Sequence, residues 1–174
     1  MRSLQYRTTM SHDHSESILE EPAMPTSKTF GTRLEGVAYS ARPAAYTVVG
    51  GQNGTVGALL GPSGMIWLPG GGSLPGESPE QTVIREVREE LARKVRLVGK
   101  IGVATQFFYA SDDARYYEML AVFFLAEFPD EPNGQGEHRL YWLPLAEAER
   151  TFFHESHAWA ARQGLDIFEK GPKA

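Results

Sequence analysis

Short apolar segments bounded by turn-forming residues predict a series of β-strands along this chain. The predicted strands are residues 46–49, 55–60, 65–68, 94–98, 102–109, 116–128 and 140–143. Gly61-Pro62-Ser63-Gly64 has the composition of a hairpin turn between the second and third of these strands. A glycine-rich stretch, Pro69 to Gly72, follows directly. Such a stretch is disfavoured inside a helix or a strand, so we expect a turn there.

The spacing of apolar residues over positions 79–93 predicts an amphipathic helix. One arc of this helix, expected to face the core, holds Val83, Ile84, Val87 and Leu91. Ser78 is a natural N-cap, Pro79 suits the first helical position, and Gln81 completes a capping box. A closing helix is predicted within residues 145–163. Strands mixed with helices and a hairpin predict an α/β fold with a mixed sheet covered by helices.

The chain of 174 residues has the length of one domain with one sizeable core. Its beginning is mostly polar and ends in a proline-containing stretch, so we expect residues 1–28 to form a disordered N-terminal arm. Residues 29–174 then form the single folded domain. The arm could also lie across a partner subunit, and the sequence leaves a homodimer open.

Composition and charge exclude several classes of function. The formal net charge of −5 argues against a generic nucleic-acid groove, which needs a basic surface. The chain has no cysteine, which excludes disulfides and thiolate zinc sites. No apolar run approaches the roughly 20 residues that span a bilayer, and the first residues lack the apolar segment of a signal peptide. We therefore expect a cytoplasmic protein that binds neither membranes nor generic nucleic acid.

Three carboxylates are neighbours on one face of the predicted helix. Glu86, Glu89 and Glu90 have the spacing i, i+3, i+4, and their mutual repulsion costs helix stability unless a cation relieves it. Mg²⁺ and Mn²⁺ prefer oxygen ligands and bridge carboxylates to phosphate oxygens, which suits metal-assisted attack of water on a pyrophosphate. On this geometry alone, a solvated helix face is the more common explanation. Arg85 and Arg88 would then form surface salt bridges.

The spacing of residues over the longer stretch from Gly71 to Glu90 favours the metal site over a solvated helix face. Gly71, Glu77 and the run Arg85-Glu86-Val87-Arg88-Glu89-Glu90 resemble the signature of the Nudix hydrolase superfamily, G-x5-E-x7-R-E-U-x-E-E-x-G-U, in which U is aliphatic. The resemblance covers roughly residues 40–165 and implies an α/β/α sandwich with a mixed β-sheet between helices. Two positions depart from the signature, whose late glycine is Ala92 here and whose last aliphatic residue is Arg93. We therefore expect the helix to continue, or to end differently, at this point.

The resemblance implies a metal site for Mg²⁺ or Mn²⁺. Glu89 and Glu90 would be the main ligands, and Glu86 would be a further ligand or the general base that activates water. The carbonyl group of Gly70 or Gly71 would complete the coordination shell. The predicted catalytic residues are Glu86, Arg85 and Glu89.

Two further parts of the site follow from the same resemblance. Arg85 would orient a catalytic carboxylate, with Glu77 as its salt-bridge partner. Many members of the superfamily recruit one more acid from a later loop. Glu137 is the first candidate for this acid here, and Glu118 is the second. An ordinary loop acid is an equally good explanation of Glu137.

Several aromatic, basic and histidine residues are candidates for contact with substrate. Phe108, Tyr109 and Arg93 are the substrate-binding candidates, although Tyr109 also has the pattern of a strand residue in the core. His154 and His157 flank the start of the closing helix, where they could contact phosphate or donate a proton. Such a pair is more typical of surface or capping positions, and its spacing is not that of a zinc site.

The resemblance implies a hydrolase acting on a small molecule. The substrate would be a nucleoside diphosphate linked to another moiety, such as a nucleotide, a nucleotide sugar or a dinucleoside polyphosphate. The alternative is a protein of the same fold that binds a nucleotide as a sensor without cleaving it. The presence of Glu86, Glu89 and Glu90 favours the enzyme, because a sensor has no need of all three acids.

Overall fold

The elements follow one another along residues 26–61 and 64–170, the part of the chain that this computed structural model describes. They are β1 (Thr26–Phe30), β2 (Ser40–Val49), β3 (Thr55–Leu60), β4 (Ile66–Trp67), β5 (Gly70–Gly72), α1 (Pro79–Leu91), β6 (Arg96–Ala110), β7 (Arg115–Glu127), β8 (Leu140–Pro144), α2 (Leu145–Thr151) and α3 (Glu155–Lys170). Residues 1–25 of the predicted arm lie outside the described residues, as do Pro62 and Ser63 of the predicted hairpin turn.

The strands form two sheets. The larger sheet has the order β1-β6-β7-β2-β5, and the smaller one has the order β4-β3-β8. In the larger sheet β1 runs parallel to β6 and β2 runs parallel to β7, whereas β6 and β7 are antiparallel, as are β2 and β5. The predicted mixed sheet is confirmed. Within the described ranges, no helix is long and apolar enough to cross a membrane.

Helices cover both faces of the larger sheet. Successive side chains of β2 point to opposite faces, so each face offers apolar residues to a different helix. Val48 packs in a core cluster with Leu165 of α3. Ala45, an odd number of residues away, packs in a second cluster with Val83 and Val87 of α1. The predicted α/β/α sandwich is therefore the observed arrangement, and it sets α1 beside β2 and β5.

The glycine-rich stretch forms a short strand, so the expectation of a simple turn is wrong. In β5, Gly70 pairs with Tyr46 and Gly72 pairs with Ala44. Gly70 has a φ of 131°, and a Cβ atom there would lie 2.3 Å from the carbonyl oxygen of Ala45. Glycine thus permits a close pairing with β2 that any side chain would prevent.

Several strand boundaries differ from the sequence pattern, and β2 begins at Ser40 rather than at Tyr46. β1 begins at Thr26, three residues before the expected start of the domain, because its backbone pairs with β6. The predicted strands 94–98 and 102–109 are one long strand, β6, whose pairing with β7 shifts register twice between Leu97 and Gly102. With these irregularities, β6 continues across Gly99 and Lys100, where the sequence pattern predicted a break between two strands.

The predicted closing helix is interrupted between α2 and α3. Phe152 forms a parallel bridge with Ile66 of β4, and the Phe153 N–H donates to the Ile66 carbonyl at 2.8 Å. The chain therefore leaves the helical conformation to pair with the smaller sheet. The pairing of Phe152 and Phe153 with Ile66 places the start of α3 next to β4.

Helix α1 begins as predicted. The Ser78 hydroxyl accepts the Gln81 N–H at 3.2 Å, and the Gln81 side chain accepts the Ser78 N–H at 2.8 Å, which completes the capping box. Val83 and Val87 are fully buried, but Ile84 is 50% exposed, so its assignment to the core-facing arc is wrong. Ile84 lies about 100° around the helix from Val83 and turns away from the sheet.

The end of α1 also corrects the sequence-based expectation. Ala92 has φ 50° and ψ 34°, the left-handed conformation that the glycine of the signature would adopt. Its N–H donates to the Arg88 carbonyl at 3.0 Å, and its carbonyl accepts the Asn133 N–H at 2.9 Å. The helix therefore ends at the position where the glycine of the signature would end it. Contacts with the loop after β7 hold Ala92 in a conformation that favours glycine.

Ala92→Gly is expected to raise the free energy of unfolding by about 1 kcal/mol. An L-residue loses roughly 1–2 kcal/mol in the left-handed conformation, and glycine avoids most of this cost. Urea unfolding monitored by circular dichroism measures the change. Ala158→Gly inside α3 is the matched control and should lower stability by about 1 kcal/mol. A lower stability for A92G than for the wild type would show that the conformation of Ala92 is not strained.

Candidate active site

The glycines of β5 lie directly against two acids of α1. A Cβ atom at Gly71 would stand 2.7 Å from the carboxyl carbon of Glu86, so any other residue there would displace this carboxylate from its position. The Gly70 N–H donates to Glu90 Oε2 at 2.9 Å. The glycine stretch therefore holds two carboxylates of the predicted acidic face against its backbone.

Glu90 is the buried member of this acidic face, with only 6% of its surface exposed. The pKa of Glu90 is raised to about 8, mainly by burial and also by the charges of Glu86, Glu137 and Glu89, against the lowering effect of the Gly70 N–H. The ionised form of Glu90 is thus disfavoured unless a positive charge lies beside it. Such a position favours a bound cation.

Arg85 connects the acids of this region. Its Nε and Nη2 atoms donate to the two carboxylate oxygens of Glu77 at 2.6 and 2.9 Å, which is the pair that the resemblance implied. Its Nη1 atom lies 2.8 Å from Glu86 Oε1 and 3.1 Å from Glu89 Oε2, and Nη2 also donates to the Gly72 carbonyl. The hydrogen bonds from Arg85 lower the pKa of Glu77 to about 2. The guanidinium therefore fixes the orientation of the Glu86 carboxylate.

The structure does not bring all of the predicted ligands together. Glu89 points to Arg85, its side chain is 44% exposed, and it does not line the cleft described below. Glu137 is exposed, but its N–H donates to the Glu89 carbonyl at 3.1 Å, which places its loop at the end of α1. Glu118 is in an ion pair with Arg33 at 2.8 Å and lies outside the cleft lining. Across residues 26–61 and 64–170, no three acidic or histidine side chains converge as a preformed metal site.

A cleft of about 490 Å³ opens beside Glu86 and Glu90. Its lining includes Arg42, Tyr46, Trp67, Gly70, Gly71, Gly72, Glu86, Glu90, Phe108, Asp113, Tyr117, Phe153, His154 and His157. One side carries the acids and the glycine backbone, and the remainder is largely aromatic. The volume lies in the range of small-molecule sites.

Two histidines of the cleft lie in the interior, contrary to the expectation of surface or capping positions. His157 is fully buried and its Nδ1 accepts the Leu68 N–H at 3.1 Å, while His154 is 9% exposed. Both lie there because the α2–α3 interruption turns the start of α3 towards the core. The i, i+3, i+4 spacing of His157 with Ala160 and Ala161, all buried, was the sequence signal for this position.

Buried His154 should make the protein sensitive to acid. Burial, with a smaller contribution from Arg42, lowers the pKa of His154 to about 4 from 6.5. Between these values the unfolded chain binds a proton that the folded chain does not, so stability falls as the pH drops through this window. Lowering the pH from 7.5 to 5 should therefore cost about 2 kcal/mol through His154.

This effect is measured as a difference between two proteins, because Glu90, whose pKa is raised to about 8, gives the opposite slope in the same window. Urea unfolding of the wild type and of His154→Asn at both pH values isolates the histidine. The variant should gain about 2 kcal/mol relative to the wild type on going from pH 7.5 to pH 5. Parallel pH profiles for the two proteins would rule out a neutral, buried His154.

The three substrate-binding candidates lie in three different environments. Phe108 lines the cleft and stacks on Tyr117, with ring centroids 5.5 Å apart. Tyr109, its neighbour on β6, points to the other side of the strand and is 48% exposed, so it is neither in the core nor in the cleft. The Arg93 guanidinium lies over the Phe128 ring and near Glu131, so it does not reach the cleft. Of the three, only Phe108 lies where the substrate hypothesis needs it.

Comparisons with known proteins agree with this geometry. The family model described as NUDIX domain matches residues 55–163, well over half of the chain. A comparison with curated protein sequences gives no match. Solved structures that are similar include a NUDIX hydrolase from Nitrosomonas europaea, with a TM-score of 0.59 and 16% identity, covering 71% of this chain and 88% of that one.

Two other solved structures carry more specific names. An ADP-ribose pyrophosphatase from Streptococcus suis has a TM-score of 0.57 and 16% identity, covering 76% of this chain and 94% of that chain. An Ap4A hydrolase from C. elegans has a TM-score of 0.56 and 18% identity, covering 75% and 98%. At these identities the similarity shows the fold alone. With the family model across β3 to α3, this chain belongs to the Nudix hydrolase superfamily, whose members act on phosphoanhydride bonds.

Proposed function

We propose that the chain is a metal-dependent pyrophosphohydrolase that cleaves a nucleoside diphosphate linked to another moiety. The observation that carries this proposal is the position of Glu86 and Glu90. Both line the cleft beside the glycine backbone, and one of them is buried with a raised pKa. The shared fold supports the reaction class, and the cleft has a volume in the range of small-molecule sites.

The donor set fits a hard divalent cation such as Mg²⁺ or Mn²⁺. Glu86 and Glu90 supply carboxylate oxygens and the backbone of Gly70 or Gly71 supplies a carbonyl oxygen, which are the ligand types these ions prefer. Glu89 and Glu137 would join them by turning their side chains towards the cleft. When bound, the cation supplies Lewis-acid activation of the phosphoanhydride and of water.

The side chains that surround these acids suggest their roles. Glu86 is held by Arg85 at 2.8 Å and packs on Gly71, so its carboxylate has a fixed direction from which it can accept a proton from the attacking water. Arg85 is a positioning residue, since it contacts Glu77 and Glu86 and does not line the cleft. We therefore assign Glu86, Glu89 and Glu90 as metal ligands, with Glu86 also serving as the general base.

Arg42 is the proposed contact for a substrate phosphate. Among the described residues of the cleft lining, it is the only lysine or arginine. Its guanidinium lies 5.5 Å from the Tyr117 ring centroid, next to Gly72 and therefore close to the acidic side. A guanidinium can bind phosphate oxygens through two hydrogen bonds at once.

Arg42→Gln is expected to lower kcat/KM by about tenfold or more, mainly through a higher KM, because one charge-assisted phosphate contact is lost. Steady-state kinetics on the best substrate measures this. Arg139→Gln, at an arginine outside this cleft, is the control and should match the wild type. Equal KM values for R42Q and the wild type would remove Arg42 from the substrate site.

The names of two structural neighbours support a nucleotide-derived small molecule as substrate. One neighbour is named for ADP-ribose and the other for Ap4A, and both compounds contain a nucleoside joined to a phosphoanhydride. We propose the same general class for this chain and leave the second moiety to experiment. No generic nucleic-acid surface is proposed, because the net charge is −5.

A nucleotide sensor on the same fold is the second candidate, because Glu89 is turned towards Arg85 in the structure. Purified protein incubated with nucleotide sugars, ADP-ribose, dinucleoside polyphosphates and nucleoside triphosphates separates the two candidates. The enzyme should release a nucleoside monophosphate or another phosphorylated product with Mg²⁺ or Mn²⁺ and stop when a chelator is added. Saturable binding without product across the whole panel would favour the sensor and contradict the hydrolase.

A further inference from the structure

The cleft has an aromatic wall that the proposed hydrolytic chemistry does not use. We define it as Tyr46, Phe108, Phe153, His154 and His157. Its burial increases inward, from Phe153 at 44% exposure through His154 at 9% to the fully buried His157. Ring centroids are 4.7 Å apart for Phe153 and His154, 5.0 Å for His154 and His157, and 4.3 Å for His157 and Tyr46. The planes of these pairs are inclined by 64°, 66° and 58°, so the rings form a chain of tilted contacts from the mouth of the cleft to its interior.

His157 has one nitrogen with a partner and one without. Its Nδ1 accepts the Leu68 N–H at 3.1 Å, so in the neutral ring the proton is on Nε2. Among the described residues, Nε2 is buried and has no hydrogen-bond partner. A buried donor that is left unpaired is rare and unfavourable. His157 also lines the cleft, so this unpaired N–H belongs to the most deeply buried ring of the aromatic wall.

The charge of the wall indicates which part of a substrate it would accept. Burial lowers the pKa of both His154 and His157, so both rings are neutral near pH 7. A neutral, ring-lined surface has little attraction for a phosphate, which has Arg42 and the proposed cation at the acidic side available instead. An uncharged heterocycle with a hydrogen-bond acceptor matches the polarity of this surface and the donor that it offers.

Tyr46 connects this wall to the acidic side of the cleft. Tyr46 pairs with Gly70 of β5, whose N–H donates to Glu90, and Tyr46, Glu86 and Glu90 all line the cleft. The Tyr46 ring packs on His157. The acids and the histidines therefore lie in the same cleft, on either side of Tyr46, where one molecule can contact both.

We propose that the aromatic wall is the subsite for the nucleobase of the substrate, and that the His157 Nε2–H donates to an acceptor atom of that base. The proposal rests on the proposed function, since it needs a nucleotide in the cleft. It makes His157 a specificity-determining residue with no part in bond cleavage.

Nucleoside monophosphates test this subsite without turnover, because they contain no phosphoanhydride. Calorimetric titration compares AMP, GMP, CMP and UMP with ribose 5-phosphate, which has the same sugar and phosphate but no base. For the wild type, at least one nucleotide should bind about tenfold more tightly than ribose 5-phosphate.

His157→Asn keeps an oxygen for the Leu68 N–H and has nothing at the Nε2 position. It should lose about fivefold to tenfold in nucleotide affinity and leave ribose 5-phosphate unchanged.

The matched variant His157→Gln places an amide N–H where Nε2 lies and should keep most of the preference for the base. Unchanged nucleotide affinity in H157N would overturn the proposal and leave the proposed function intact. Equal binding of nucleotides and ribose 5-phosphate by the wild type would also overturn it. If the wild type binds none of these compounds and the hydrolysis panel gives no product, both proposals fail together.

A measurement on the wild type covers the case in which H157N does not fold. In protein carrying ¹⁵N-labelled histidine, the imidazole resonances of His157 should move on addition of the preferred nucleotide and stay in place with ribose 5-phosphate. Resonances that respond equally to both compounds, or to neither, would contradict the hydrogen bond to the base.

Discussion

Glu90→Gln is expected to abolish most of the activity while making the protein more stable. The variant keeps an oxygen that can accept the Gly70 N–H, but it loses a charge that the proposed cation needs. Metal activation contributes several kcal/mol to a transition state, so kcat/KM should fall by about 10³. A variant that loses activity because it unfolds would also be less stable. A lower kcat/KM together with a higher free energy of unfolding therefore identifies Glu90 as a functional acid.

The gain in stability should depend on pH in a specific way. Because burial raises the pKa of Glu90 from 4.5 to about 8, its stabilising contribution is complete below pH 4.5 and is lost as the pH rises through 8. In the presence of a chelator, the stability of E90Q relative to the wild type should grow by about 3 kcal/mol between pH 5 and pH 8. Glu80→Gln, at an exposed position of α1, should change neither activity nor this pH dependence. A constant stability difference from pH 5 to pH 8 would mean that Glu90 is not a desolvated acid.

Arg85→Gln is expected to lower both stability and activity. The substitution removes a guanidinium that donates to Glu77, Glu86, Glu89 and the Gly72 carbonyl, and it leaves partly buried carboxylates without their partner. We expect a loss of about 2 kcal/mol in the free energy of unfolding, less than for a fully buried pair. Activity should fall by about 10², because the Glu86 carboxylate is no longer held in one direction.

A double-mutant cycle separates the ion pair from general damage to the helix. Arg85→Gln and Glu77→Gln, alone and together, should show a coupling energy of about 2 kcal/mol in urea unfolding. Arg88→Gln, on the same helix, is the control and should retain the stability and the activity of the wild type. Additive effects of the two substitutions would show that the pair is not coupled in solution.

Local chemistry made much of this fold and site predictable. The Ser78–Gln81 capping box and the valines of α1 depend on residues within two helical turns, and the structure has them as expected. The Arg85–Glu77 pair was implied by the resemblance, and it is present because the turn after β5 returns Glu77 to the side of α1. These contacts involve short sequence separations, so the sequence pattern carries the information.

Other parts of the site depend on distant contacts that no local pattern contains. The burial of His157 follows from the interruption of the closing helix, where Phe153 pairs with Ile66 of β4. The left-handed Ala92 is held by Asn133 of a loop that is far away in sequence. Glu89 shares a helical face with Glu86, but its carboxylate accepts a hydrogen bond from the Arg85 guanidinium and lies outside the cleft.

The claim that Glu86 and Glu90 hold a divalent cation is tested most directly by Mn²⁺ binding, followed through the electron paramagnetic resonance signal of the free ion. Wild-type protein and Glu80→Gln should remove Mn²⁺ from solution with the same titration curve. Glu86→Gln and Glu90→Gln should each weaken this binding at least tenfold, since each removes one carboxylate ligand from the cleft. Identical titration curves for all four proteins, or no binding by the wild type, would contradict the metal site on which the proposed hydrolysis depends.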